Sequence, residues 1–237
     1  MPPSELGVGL NLKSISWGKL AIEVVVLAAS VYLAIFFEGA SDDRARRAAA
    51  LEALRSLRTE LQRDLDDVAV ILEAQADRDV RHQRLERWLS SVPVAHPDSF
   101  ATDLRALTVQ NRTLFPRRAT WTTMLSSAQL ADLGDPGLVD QLANLYENVN
   151  QRVEYNGVIY DESLTDVARN SFAHAWDPVE RRLLLPPGTE VAEFRSQLAF
   201  LHEQNLAFIG LLEAWRGEVR ALMDAVDTFL AARPGGT

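Results

Sequence analysis

Four histidines, His82, His96, His174 and His202, are the side chains best suited to hold a metal or carry a proton. One of them stands at a spacing that chemistry uses. Asp79-x-x-His82 puts a carboxylate and an imidazole on one helical face, half of the arrangement in carboxylate-bridged di-metal bundles. Such a centre needs a second carboxylate–histidine pair, and the sequence offers none. Ser16-x-x-Lys19 has the spacing of a Ser–Lys nucleophile without its companion motifs. Gly7-x-Gly9 follows no strand-like run, so it opens no phosphate loop, and Asn111-Arg112-Thr113 fits the glycosylation triplet only formally. The chain has no cysteine, which excludes disulfides, thiol catalysis and Cys-held zinc or iron–sulfur centres. The carboxylates are spread over helix faces in the usual solvated manner. No catalytic, metal-ligating or cofactor-binding residue is therefore assigned, and the chain is read as a non-enzyme without a cofactor.

The elements that hold these residues are more informative. Leu20 to Phe37 reads LAIEVVVLAASVYLAIFF, eighteen residues with Glu23 as the one charge. With its flanks, a helix here rises about 30 Å, the thickness of a hydrocarbon core. The run is too long for the apolar part of a cleavable leader, and no A-x-A site ends it. Trp17 and Lys19 suit the headgroup region at one edge, and Phe36 and Phe37 mark the other. Glu23 lies one turn inside the Trp17 end, close enough to reach the interface. Its sharper reading is a polar contact that pairs this helix with another. Ser30 and Ala34 make one small-xxx-small pair. The membrane anchor is thus assigned to Trp17, Lys19, Glu23, Phe36 and Phe37.

The expected organisation is a tail at 1–16, a transmembrane helix at 17–39, a helical-bundle domain at 40–232 and a disordered tail at 233–237. After the span about 200 residues remain, enough for one core. Residues 1–37 sum to zero charge, so the whole net charge of −9 belongs to the later part. An acidic domain makes a poor nucleic-acid binder, because phosphate contacts need clustered cations. Lys13 and Lys19 on one side of the span face Arg44, Arg46, Arg47 and Arg55 on the other. Sidedness stays open, with a slight tilt of the domain toward the cytoplasm. Every basic residue except those two lysines is arginine, and alanine is abundant, a composition that suggests a GC-rich bacterial genome. The expected location is the bacterial inner membrane, crossed once.

The rest of the chain reads as helix. Residues 41–91 carry Leu51, Leu54, Leu61, Leu65, Val68 and Leu72 at steps of three, four and seven, with Arg58 as the polar break. Ser41 can cap this helix, and Gly39 is its one joint with the span. Phe100–Val109 and Arg118–Leu133 are shorter helices. Gly134-Asp135-Pro136 supplies a C′ glycine, an N-cap and an N1 proline, so a corner is expected there. A helix from Pro136 to about Phe172 follows, then a short helical turn opened by Asp177-Pro178 and closed by Pro186-Pro187-Gly188. The last helix has the strongest beat. Val191, Phe194, Leu198, Leu201, Asn205, Phe208, Leu212, Trp215, Val219, Leu222, Val226 and Phe229 alternate steps of three and four. A strict seven-residue repeat implies shallow, left-handed packing. Asn205 and Asn156 could meet across antiparallel helices as a buried polar pair. Trp121 is expected to anchor its helix into the core, with a pocket wall as the alternative. No run alternates with period two, so essentially no sheet is expected. The fold class is all-α: one transmembrane helix, then an elongated antiparallel bundle with coiled-coil-like packing.

This order of parts resembles an uncharacterised bacterial family of single-span membrane proteins with a helical domain of unknown function. The resemblance rests on Ile22-Glu23-Val24-Val25-Val26, on Phe37-Glu38 and on the Arg-rich stretch Asp43–Arg63. Further on it rests on Trp121, Ser126-Ser127, Leu130 and Leu133, then Leu138, Leu142 and Tyr146. The glycine that usually follows the serine pair is Ala128 here. The aromatic-Asn-Trp stretch after the span is replaced by Phe36-Phe37-Glu38-Gly39. The resemblance implies membrane topology and a helical fold but no activity. The expected function is that of a membrane-anchored scaffold or interaction protein, with the lipid bilayer, copies of itself or other membrane proteins as partners. The alternative is a membrane-tethered sensor that binds a small molecule near Trp121, Asn156 and Asn205.

Overall fold

The computed structural model describes residues 17–90, 96–109, 113–177, 179–180, 182–184 and 189–233. The N-terminal tail 1–16, Pro93, the Asn111-Arg112 pair, Pro178, Pro186-Pro187-Gly188 and the tail beyond 233 lie outside the described residues. So do the side chains of Trp17, Lys19 and Glu23. The chain divides into two compact units, residues 1–48 and 49–237, so the division falls nine residues beyond the expected end of the span.

In the first unit the described part is the start of helix α1, Trp17–Trp88. Among the described residues it is the one helix long and apolar enough, by length and composition, to cross a membrane, and none of its apolar window is buried within the protein. Ile22, Val24, Val25, Val26 and Leu27 each leave more than half of their surface exposed, as do Phe36 and Phe37. The two phenylalanine rings meet edge to face, with centroids 6.1 Å apart.

The second unit is built from the remainder of α1 and from α2 (Pro97–Val109), α3 (Ala119–Ser126), α4 (Gln129–Asp132), α5 (Pro136–Asn144), α6 (Asn150–Val167), α7 (Ala173–Ala175) and α8 (Thr189–Ala231). α2 starts three residues before the expected helix, because Pro97 takes the first helical position and Asp98 the first turn. The helix expected over Arg118–Leu133 is broken. Ala128 adopts φ 58°, a left-handed conformation that costs a residue with a Cβ about 1–2 kcal/mol, and it separates α3 from α4. The corner at Gly134 forms as the residues imply. Gly134 has φ 65°, and the Asp135 carboxylate accepts from the Leu138 amide at 3.1 Å, with Pro136 opening α5.

The stretch from Pro136 to Phe172 is helical throughout, but not one α-helix. π-turns at Leu145–Val149 and Ala168–Phe172 interrupt it, each adding a residue to the local repeat. Among the described residues no helical turn follows Asp177. Asp177 instead ends β1 (Trp176–Asp177), which pairs antiparallel with β2 (Arg182–Leu183). The Asp177 carboxylate accepts from the amides of Val179 and Glu180, which closes the hairpin and holds its pKa below the ordinary value.

α8 runs antiparallel to both α1 and α6. Its Asp227 meets Arg58, its Asn205 meets Gln75 and its Arg195 meets the Leu89 carbonyl, so one number falls as the other rises. Its Trp215 meets Asn150 and its Asn205 meets Tyr160 in the same sense along α6. Every seam residue expected on α8, from Val191 to Phe229, is buried. The core is divided. One cluster joins the Ala50–Leu72 stretch of α1 to α3, α5, α6 and the later half of α8; the other joins Leu85 and Leu89 to α2, Phe172, Trp176 and the first half of α8.

Candidate functional site

Between the two clusters lies a polar layer. The buried seam of α1 steps from Leu54 in sevens through Leu61, Val68, Gln75, His82 and Leu89, and from Ala50 through Leu57, Asp64, Ile71, Arg78 and Leu85. Three consecutive seam positions are therefore polar. Gln75 and His82 are 0% exposed and Arg78 is 3% exposed. Their spacing of three and four residues stacks them on one face. The expected seam was displaced by one residue at alternate positions. Leu51, Arg58 and Leu65 lie half-buried beside it, and Arg58 reaches out to a bidentate ion pair with Asp227. At these levels the buried members are Ala50, Leu57 and Asp64, each one residue ahead of the flank.

The opposing elements complete the layer. The Arg78 guanidinium donates through Nη1 to Gln75 Oε1 at 3.2 Å and to the Tyr160 hydroxyl at 3.5 Å, and it sits 5.8 Å from the Tyr160 ring centre. Tyr160 in turn donates to Asn205 Oδ1 at 3.2 Å, and Asn205 Nδ2 donates to the Gln75 carbonyl at 3.1 Å. One turn along, the His82 and His202 rings stack with centroids 5.2 Å apart and planes 7° from parallel. His202 Nε2 lies 2.6 Å from Asp79 and Nδ1 lies 3.1 Å from Glu86. Only the imidazolium form can donate to both carboxylates.

Several atoms in this layer have no hydrogen-bond partner within the protein: Gln75 Nε2, Arg78 Nη2 and both ring nitrogens of His82. Among the described residues, no carboxylate stands within ion-pair distance of Arg78. Burial lowers the His82 pKa to about 4, helped by His202 and Arg78 and opposed by Asp79. Burial raises the Tyr160 pKa, against the pull of Arg78. Burial thus favours neutral His82 and neutral Tyr160 beside the buried Arg78 guanidinium.

Two other buried carboxylates are neutralised by arginines. Asp64, on the α1 seam, accepts from the Arg117 amide at 3.0 Å and from its guanidinium; desolvation still raises its pKa. Asp103 of α2 takes both Arg81 and Arg84, each at 2.8 Å. Arg78 has no such counter-charge, and on the acidic side buried Asp161 has only the Thr113 hydroxyl.

Asn156 does not pair with Asn205. It is exposed, and its side-chain amide donates to the Arg152 carbonyl at 2.7 Å. The π-turn ahead of it shifts the inward face of α6, so that Asn150 and Gly157 face the core beside Val153 and Tyr160. Asn150 is the buried asparagine of this helix, and it accepts from Trp215 Nε1 at 2.7 Å. Trp121 is 4% exposed and packed as an anchor. It stacks on Tyr146 with centroids 5.0 Å apart and donates to Glu147 at 3.0 Å. Of the three residues expected near a pocket, Trp121 bonds to Glu147, Asn156 to the Arg152 carbonyl, and Asn205 to Tyr160 and the Gln75 carbonyl. Asp79 binds His202 rather than acting with His82, and no group of three His, Asp or Glu residues stands ready to hold a metal ion among the described residues.

The sequence profile of a family of unknown function (DUF6090) matches residues 22–177, more than half of the chain. The chain belongs to that family. The DUF6090 segment takes in most of α1, with Gln75, Arg78 and His82, and α6 with Tyr160; it ends before α8, which carries Asn205 and His202. No curated protein and no solved structure matches the chain.

Proposed function

We propose that the protein is a single-pass, membrane-anchored helical protein of a bacterial inner membrane, working by contact with other proteins or with copies of itself rather than by catalysis. The observation that carries this reading is the exposed apolar run from Ile22 to Phe37 at the start of α1. A helix that exposes valine, leucine and phenylalanine over four turns is unstable in water and stable in lipid. The Trp17–Lys19 edge and the Phe36–Phe37 edge bound the apolar length as interfacial residues do. Glu23 and the Ser30–Ala34 spacing supply the polar and close-packing contacts by which such helices associate. The four arginines that follow the span, from Arg44 to Arg55, favour a cytoplasmic domain.

The reading is tested on the full chain. The protein should stay in the membrane pellet after alkaline carbonate extraction and should need detergent for release. Recovery in the carbonate supernatant would remove the anchor. Cross-linking in membranes should capture a self-associated species that weakens severalfold in Glu23→Leu; unchanged cross-linking would take Glu23 out of the contact.

A further inference from the structure

The buried polar layer has donors in excess and a positive charge with no partner. From this geometry we infer that it binds one small anion, of the size and charge of a halide, between α1, α6 and α8. Gln75 Nε2, Arg78 Nη2 and one N–H of His82 are free to donate, and all three side chains are at least nine-tenths buried. They stand at consecutive positions on one stripe of α1, with Gln75 and Arg78 already in contact. A guanidinium is almost never fully buried without a counter-charge, because desolvation costs several kcal/mol that neutral partners do not restore.

The charges facing the layer favour this assignment over a protein carboxylate. Asp79 and Glu86 of α1 are both turned to His202 of α8, and Asp161 of α6 accepts from the Thr113 hydroxyl. Tyr160 and Asn205 use each other and the Gln75 carbonyl. None of these supplies Arg78 with an anionic oxygen at ion-pair distance. The burial sets the size: Gln75, Arg78 and His82 are each exposed by 3% or less, which favours a small ion over a phosphate ester or an organic acid. The inference does not depend on membrane attachment, so either can fail alone.

The test uses the full chain in detergent. Thermal melts are recorded at constant ionic strength while gluconate is replaced by chloride, then by bromide. The melting midpoint should rise with saturation, by about 3–6 °C at ten times the dissociation constant. Arg78→Met removes the charge and replaces it with an apolar chain, so it should melt in gluconate at or above the wild-type midpoint and lose the halide response. Gln75→Leu leaves the guanidinium and should raise the half-saturating chloride concentration severalfold. A linear response that is equal in wild type and Arg78→Met, or no response in wild type, overturns the site. If Arg78→Met does not fold, bromide crystals of the wild type decide: an anomalous peak within hydrogen-bond distance of Arg78 Nη2 supports it, and none there excludes it.

Discussion

His82 has neither a hydrogen bond at its ring nitrogens nor a route to water, and its ring lies flat against His202. Such an imidazole folds readily when neutral and resists a proton. Its folded pKa of about 4 lies below the ordinary 6.5, so the unfolded chain binds the proton first. The stability it contributes is complete above pH 6.5 and is lost as pH falls through 4. The gap corresponds to about 3 kcal/mol. His82→Leu keeps the volume and removes the titration. Denaturation curves at a series of pH values should show wild type losing about 3 kcal/mol more than His82→Leu between pH 6.5 and pH 4. Parallel pH profiles for the two proteins would mean that His82 reaches water or an acceptor in solution. The same residue shows what a single sequence conceals. Asp79-x-x-His82 looked like half of a metal pair, yet a stacked ring and a diverging carboxylate serve the core instead.

At the scale of elements, α6 sits as close as it does because of Gly157. A Cβ added there would lie 2.8 Å from Thr113 Cγ2 and 3.2 Å from the Phe208 ring. Thr113 holds that position through its hydroxyl on Asp161, so the neighbour is not free to yield. Gly157→Ala should therefore destabilise by about 1–2 kcal/mol, overpacking outweighing the gain in helix propensity. Adding Thr113→Ser removes the clashing methyl, keeps the hydroxyl and should restore about half of the loss; a double variant no better than Gly157→Ala would locate the strain at Phe208. The helices themselves were legible. Every residue that the repeat of α8 marked is buried, and Gly134-Asp135-Pro136 marked its corner. What escaped were features that periodicity does not encode. The π-turn at Leu145–Val149 shifted the face of α6 and exchanged Asn156 for Asn150. A left-handed Ala128 split a helix at a position where any L-residue is unfavourable. The polar seam residues Gln75, Arg78 and His82 were legible only as heptad positions counted from Leu54 and Ala50, since an apolar criterion passes over them.

The second unit as a whole has two apolar cores where one would bury the same residues at less electrostatic cost. The layer between them is built against stability: one unpaired guanidinium, one unprotonated imidazole and an amide with free donors. A fold selected for stability alone would continue the leucine seam of α1 through residues 75, 78 and 82. Replacing buried charge by packed hydrophobes typically stabilises by about 1–4 kcal/mol. The triple variant Gln75→Leu/Arg78→Met/His82→Leu joins the two cores and leaves intact the Asn205 bond to the residue 75 carbonyl and the Tyr160 bond to Asn205. In chloride-free buffer its melting midpoint should rise by roughly 4–10 °C. Its α1 amides near residue 78 should exchange more slowly with deuterium, because opening the layer then exposes apolar surface. A lower midpoint would show that the polar layer contributes net stability, and the argument for an absent counter-charge would fall with it. A higher midpoint with lost halide response would identify the layer as a binding feature kept at the expense of the fold.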